Sequence, residues 1–168
     1  MSHFQGFLER AKSKSKVNKQ TLDKLKSKKP SWLDEAFSFY HEQAFQKINC
    51  IDCANCCKTT SPIFYQKDIE RLARGLRIKP SEFIEKYLRL DDDQDFVLQT
   101  APCPFLGKDN YCGVYEDRPA ACREYPHTNR KNIHQILELC FKNTMVCPAV
   151  LEIVENIQQD PRLRKMPG

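Results

Sequence analysis

Seven cysteines stand in two compact groups, and thiols at that spacing point to metal ligation. Cys50, Cys53, Cys56 and Cys57 form the run C-x2-C-x2-C-C, and Cys103, Cys112 and Cys122 follow within C-P-F-L-G-K-D-N-Y-C-G-V-Y-E-D-R-P-A-A-C-R-E-Y-P. The ligand is the thiolate. A free cysteine with a pKa of about 8.5 is mostly protonated at neutral pH, so a cation has to supply the free energy that removes the proton. Residues three apart on a tight turn can direct their sulfurs to one centre while backbone N–H groups converge on the same atoms, and Cys50, Cys53 and Cys56 read as one such knuckle. Adjacent side chains diverge, which turns Cys57 towards a second metal or a bridging position. Cys147 is the eighth candidate ligand: it precedes Pro148 at the start of a predicted helix, where the dipole and free N–H groups favour a thiolate.

The competing use of so many cysteines is a disulfide scaffold, which needs an oxidising compartment. Nine cysteines are an odd number for full pairing. The N-terminal M-S-H-F-Q-G-F-L-E-R-A-K-S-K has no apolar signal region, and no apolar run approaches the roughly 18 residues needed to span a bilayer. The expectation is a cytoplasmic, reduced, metal-binding protein with no membrane association.

Two metals suit the pattern. Three cysteines at x2 spacing with a remote Cys-Pro match bacterial ferredoxin ligation. Zinc ribbons bring two separate C-x2-C pairs, and the second half of this chain has none. The reading therefore inclines to an iron–sulfur cluster in an electron-transfer or oxidoreductase-like role, with Zn²⁺ in an interaction module as the alternative. No Gly-rich phosphate loop or H-E-x-x-H is present, so neither a reaction nor a substrate can be read from motifs.

The elements that must position these thiols are mainly helical. Leu33, Phe37, Tyr40, Ala44 and Ile48 recur at helical intervals and lead the chain into Cys50, with Ser31 and Asp34 suited to start the helix. A second helix begins near Lys67, with Gly75 expected as a left-handed cap, and a third opens at Pro80. The run Asp91, Asp92, Asp93 and Asp95 marks a solvated loop before a strand at Phe96–Gln99. A hairpin turning at Gly107–Asn110, with Leu106 opposite Tyr111, would put Cys103 and Cys112 on one face. Asp117 and Pro119 suit the start of a short helix carrying Cys122. Ile133, Ile136, Leu137, Cys140 and Phe141 follow a helical stripe, which makes Cys140 a core residue. The fold class expected is mainly α with short β-hairpin elements.

At 168 residues the chain can bury a core without depending on metal alone. Its formal charge of +5 is uneven, because residues 1–30 hold nine Lys/Arg against two acids. That segment reads as a basic helical arm, followed by a single compact cysteine-cluster domain at 31–160 and a tail at 161–168. Lysines clustered over residues 10–30 can bind a polyanion by counterion release, so RNA or an acidic protein is a candidate partner.

The order C-x2-C-x2-C-C, then C-P-F-L, then C-x-V-Y-x-x-R-P-x-x-C-R-x-Y-P resembles the YkgJ-type cysteine-cluster family. The resemblance implies a zinc- or iron-chelating domain built on Cys50, Cys53, Cys56, Cys57, Cys103, Cys112 and Cys122. It also places Tyr115, Arg118, Pro119, Arg123 and Pro126 in the family signature. A physical reason exists for the arginines: thiolates around a metal leave net negative charge, which Arg118 and Arg123 beside Cys122 can offset through charge-assisted hydrogen bonds.

Overall fold

The structure, a computed structural model, describes residues 3–166, with side chains from residue 6. It is mainly helical and divides into two units: residues 1–49 with 126–168, and residues 50–125.

The first unit is all helical. Helix α1 (His3–Lys28) and α2 (Leu33–Lys47) pack with a 3₁₀ turn (Ile133–Ile136), α8 (Leu137–Asn143) and α9 (Pro148–Gln159). The basic segment is not a free arm, since Ala11, Leu22 and Leu25 of α1 are buried in this unit. Residues 11, 18, 22 and 25 fall on one helical face, and burying that face outweighs the repulsion among lysines that remain in solvent. Helix α9 buries Val150, Leu151, Ile153, Val154 and Ile157, each such side chain contributing about 1.5–3 kcal/mol of transfer free energy. Cys140 is fully buried here. The tail forms a short helix, α10 (Pro161–Arg164), and Leu163 and Met166 pack on the core.

Capping in this unit departs from expectation. Trp32, not Ser31, is the N-cap of α2, without a side-chain cap. Asp34 instead accepts hydrogen bonds from the backbone N–H groups of Asn132 and Ile133, at 2.7 and 3.0 Å. It satisfies the orphan donors of the 3₁₀ turn, which has no cap of its own.

The second unit carries the cysteine groups. It runs through α3 (Cys50–Cys53), α4 (Asn55–Thr59), α5 (Gln66–Gly75), α6 (Pro80–Tyr87), strands β1 (Leu88–Leu90) and β2 (Phe96–Leu98), and α7 (Ala120–Glu124). The strands pair antiparallel with Leu88 opposite Leu98. Their turn is the acidic run, where Asp91 Oδ1 accepts from the N–H groups of Asp93 and Asp95. Phe64, Ile69, Leu72, Phe83, Leu88 and Leu98 form the core.

Gly75 is not left-handed. The left-handed residue is Arg77, at φ 58°. Ile78 N–H reaches Ala73 O and Arg77 N–H reaches Arg74 O, the double closure of a Schellman motif. Gly75 matters for a different reason: a Cβ there would meet Asp117 Oδ2 and stand 3.2 Å from its Cγ, so the Asp117 side chain would have to shift.

Candidate metal centre

The first cysteine group is built from two single helical turns. Ala54, left-handed at φ 46°, separates α3 from α4 and re-aims the chain between Cys53 and Cys56. Thr59 and Thr60 hydroxyls donate to the carbonyls of Asn55 and Cys56, closing the second turn. The second group is tied to the first by backbone. Cys103 N–H donates to Cys57 O at 2.8 Å, and Asn110 Nδ2 donates to Ile51 O at 2.8 Å.

The hairpin register differs by one residue from expectation. Leu106 pairs with Cys112, not Tyr111, as a single antiparallel bridge. Gly107 N–H reaches Tyr111 O at 2.7 Å and Gly113 N–H reaches Phe105 O at 2.8 Å. The reason is that Cys103 opens a turn, closed by Leu106 N–H on Cys103 O at 3.1 Å, and does not extend an arm of the hairpin. That turn aims the N–H groups of Phe105 and Leu106 at the Cys103 sulfur, where both pull its pKa down against the larger effect of burial. Backbone donors are expected at the knuckle of Cys50, Cys53 and Cys56, whereas those on Cys103 sit on the C-P-F-L turn.

The stretch carrying Cys122 is held by α5. Asp68, buried, accepts from Tyr65 N–H at 3.2 Å, from Ala120 N–H at 3.1 Å and from Arg71 Nη2 at 2.6 Å. Arg71 also donates to the carbonyls of Arg118, at 2.9 Å, and Asp117, at 3.2 Å. One carboxylate and one guanidinium thus hold Asp117, Arg118 and Ala120, at the entry to α7. Sequence reasoning missed both residues. The only signal was an acid three residues into a predicted helix, and nothing local says that its second oxygen serves a strand of chain 52 residues away.

Electrostatics link the groups. Burial pushes the Cys122 thiol up to about 12, and the charges of Cys57, Cys103 and Cys112 push the same way. Cys103 is raised by burial and by Cys57 and Cys112, and Cys50 by burial and by Cys53 and Cys57. Cys57 is the exception, held down at about 7 by a hydrogen bond from Cys56, with Lys58 and Arg118 assisting. Cys57 is the link, because its charge acts on Cys50 as well as on Cys103 and Cys122, and all nine cysteines of the chain are free.

Among the described residues, no three His, Cys, Asp or Glu side chains already converge on one point as a finished metal site. The thiols share a region without sharing a centre. The donor set fits a thiophilic metal: sulfurs only, half-buried except at the exposed Cys50, with backbone N–H donors and one guanidinium among them.

That guanidinium is Arg118. Its charge lowers the pKa of Cys50, Cys57 and Cys122, and its Cζ lies 3.7 Å from the ring centre of Tyr115. Its Nε is buried without a hydrogen-bond partner. Arg123 is placed differently, in the wall of a pocket of about 470 Å³ with Tyr65, Gln66, Lys67, Asp68, Arg71 and Ala120. Cys147 belongs to the other unit, at the N-cap of α9 and half-buried against that unit's core.

A mainly helical unit that brings thiols from separate stretches of chain into one region defines a cysteine-cluster metal-binding domain. The CxxCxxCC family, described as a "putative zinc- or iron-chelating domain", matches residues 49–141, more than half of the chain, and this protein belongs to that family. No curated protein and no solved structure matches the chain.

Proposed function

We propose that the chain holds an iron–sulfur cluster through thiolates drawn from Cys50, Cys53, Cys56, Cys57, Cys103, Cys112 and Cys122, and serves electron transfer or an oxidoreductase-like reaction. The observation that carries the reading is the mutual influence of Cys57, Cys103, Cys112 and Cys122, thiols from three separate stretches of sequence. Such a cluster supplies one-electron chemistry when bound. The protein's part is to gather the sulfurs, donate N–H bonds to them at the Cys103 turn and set a cation beside them. Free thiols throughout suit a reducing compartment, in keeping with a cytoplasmic location. Among the described residues no helix is long and apolar enough to cross a membrane.

Anaerobic purification with iron, zinc and acid-labile sulfide measured per chain tests the proposal. Iron with stoichiometric sulfide and a brown charge-transfer spectrum support it. Zinc without sulfide replaces it with the second reading, an interaction module. The exposed lysines of α1, among them Lys12, Lys14, Lys16, Lys26 and Lys28, favour RNA or an acidic protein as that module's partner.

A further inference from the structure

We propose that Arg118 is a positioning residue of the metal centre, its Nε–H donating to a metal-bound sulfur, whereas Arg123 serves the neighbouring pocket and leaves the centre unaffected. The inference rests on the reading of the clustered thiols as ligands and goes beyond it, because sequence gave the two arginines equal standing beside Cys122.

Four observations separate them. First, a buried guanidinium N–H without an acceptor is costly, more so because it is charged, and Arg118 Nε is such a donor among the described residues. Second, the same side chain acts electrostatically on Cys50, Cys57 and Cys122, which lie far apart in sequence. Third, the residue is held at both ends. Tyr115 lies against the guanidinium face, and Arg71 donates to the backbone carbonyl of Arg118 at 2.9 Å. A planar cation stacked in this way loses little further freedom when it donates a directed hydrogen bond. Fourth, Arg123 is exposed and lines the pocket with Lys67 and Tyr65. Thiolates around a metal carry excess negative charge, and a fixed donor on a sulfur both lowers that charge and resists ligand loss.

The test compares wild type with Arg118→Gln, Arg118→Lys, Tyr115→Leu and Arg123→Gln, each purified anaerobically and assayed for metal per chain, metal transfer to a chromophoric chelator and, if iron is present, midpoint potential. Arg118→Gln is expected to lose metal about 10- to 100-fold faster and to have a more negative potential. Arg118→Lys should recover the potential but only part of the chelator resistance, because it restores charge without the planar donor. Tyr115→Leu should fall between wild type and Arg118→Gln, and Arg123→Gln should stay within about twofold of wild type. Far-UV circular dichroism reports whether each variant folds. Should Arg118→Gln not fold, Arg118→Lys and Tyr115→Leu decide, since both keep the charge: unchanged chelator rates in both overturn the proposal. A folded Arg118→Gln with wild-type rates, or equal effects from Arg123→Gln, also overturns it. A wild type without metal would instead overturn the reading of the thiols as ligands.

Discussion

Arg71 donates to the buried carboxylate of Asp68 at 2.6 Å while the same guanidinium holds the carbonyls of Asp117 and Arg118. The pair makes α5 the splint for the Cys122 stretch. Removing Arg71 would leave a buried carboxylate short of its cation, at a cost of about 3 kcal/mol. Arg71→Ala is therefore expected to lower the urea midpoint and to weaken metal retention together. Loss of stability with unchanged chelator rates would show that the splint does not reach the metal centre.

Gly75→Ala is expected to forgo the gain of about 1 kcal/mol that alanine normally brings to a helix, because its Cβ meets the Asp117 carboxylate. In an Asp117→Ala background the gain should return. A double-mutant cycle by chemical denaturation measures the coupling, and additivity would refute the contact.

Cys122→Ser and Cys103→Ser should each reduce metal per chain well below wild type, while Cys140→Ala should leave it unchanged. Cys140 is buried in the other unit's core, so its loss should appear as about 1 kcal/mol of stability. Metal analysis beside denaturation separates the two effects.

Metal uptake should release protons. Burial and neighbouring thiols raise Cys50, Cys103 and Cys122, so these groups are protonated at neutral pH and must be deprotonated by the metal. Affinity then rises with pH, by about tenfold per pH unit for each such thiol that ligates. Competition titrations at two pH values test this, and a pH-independent affinity would exclude these three as ligands.

Asp160 offers a separate acid-side test in the first unit. Arg162 holds its carboxyl below the usual range, with the Arg162 N–H and Tyr40 hydroxyl adding to the effect. A depressed pKa contributes stability that is present above the unfolded value of about 3.9 and is lost as pH falls through the folded value. Asp160→Asn should cost about 1 kcal/mol near neutrality, and the difference from wild type should vanish in acid.

Local patterns carried much of the architecture. Helical stripes located α2, α6, α8 and α9, because each has a continuous apolar face, and Cys140 falls on such a stripe. The burial of α1 escaped notice because Ser15 and Asn18 interrupt its apolar face and lysines dominate its composition, although positions 11, 18 and 25 repeat at seven. The register at Leu106 and Cys112 was missed by one residue because a turn at Cys103, not strand pleating, sets it. Asp68 and Arg71 escaped because their partners lie far along the chain, and pairing at that range leaves no periodicity to read.

The cysteine-bearing unit is one uninterrupted stretch of chain set between the two halves of the other. A ribosome therefore completes residues 50–125 before α8 and α9 exist, and α1 and α2 must wait for those helices before their apolar faces are covered.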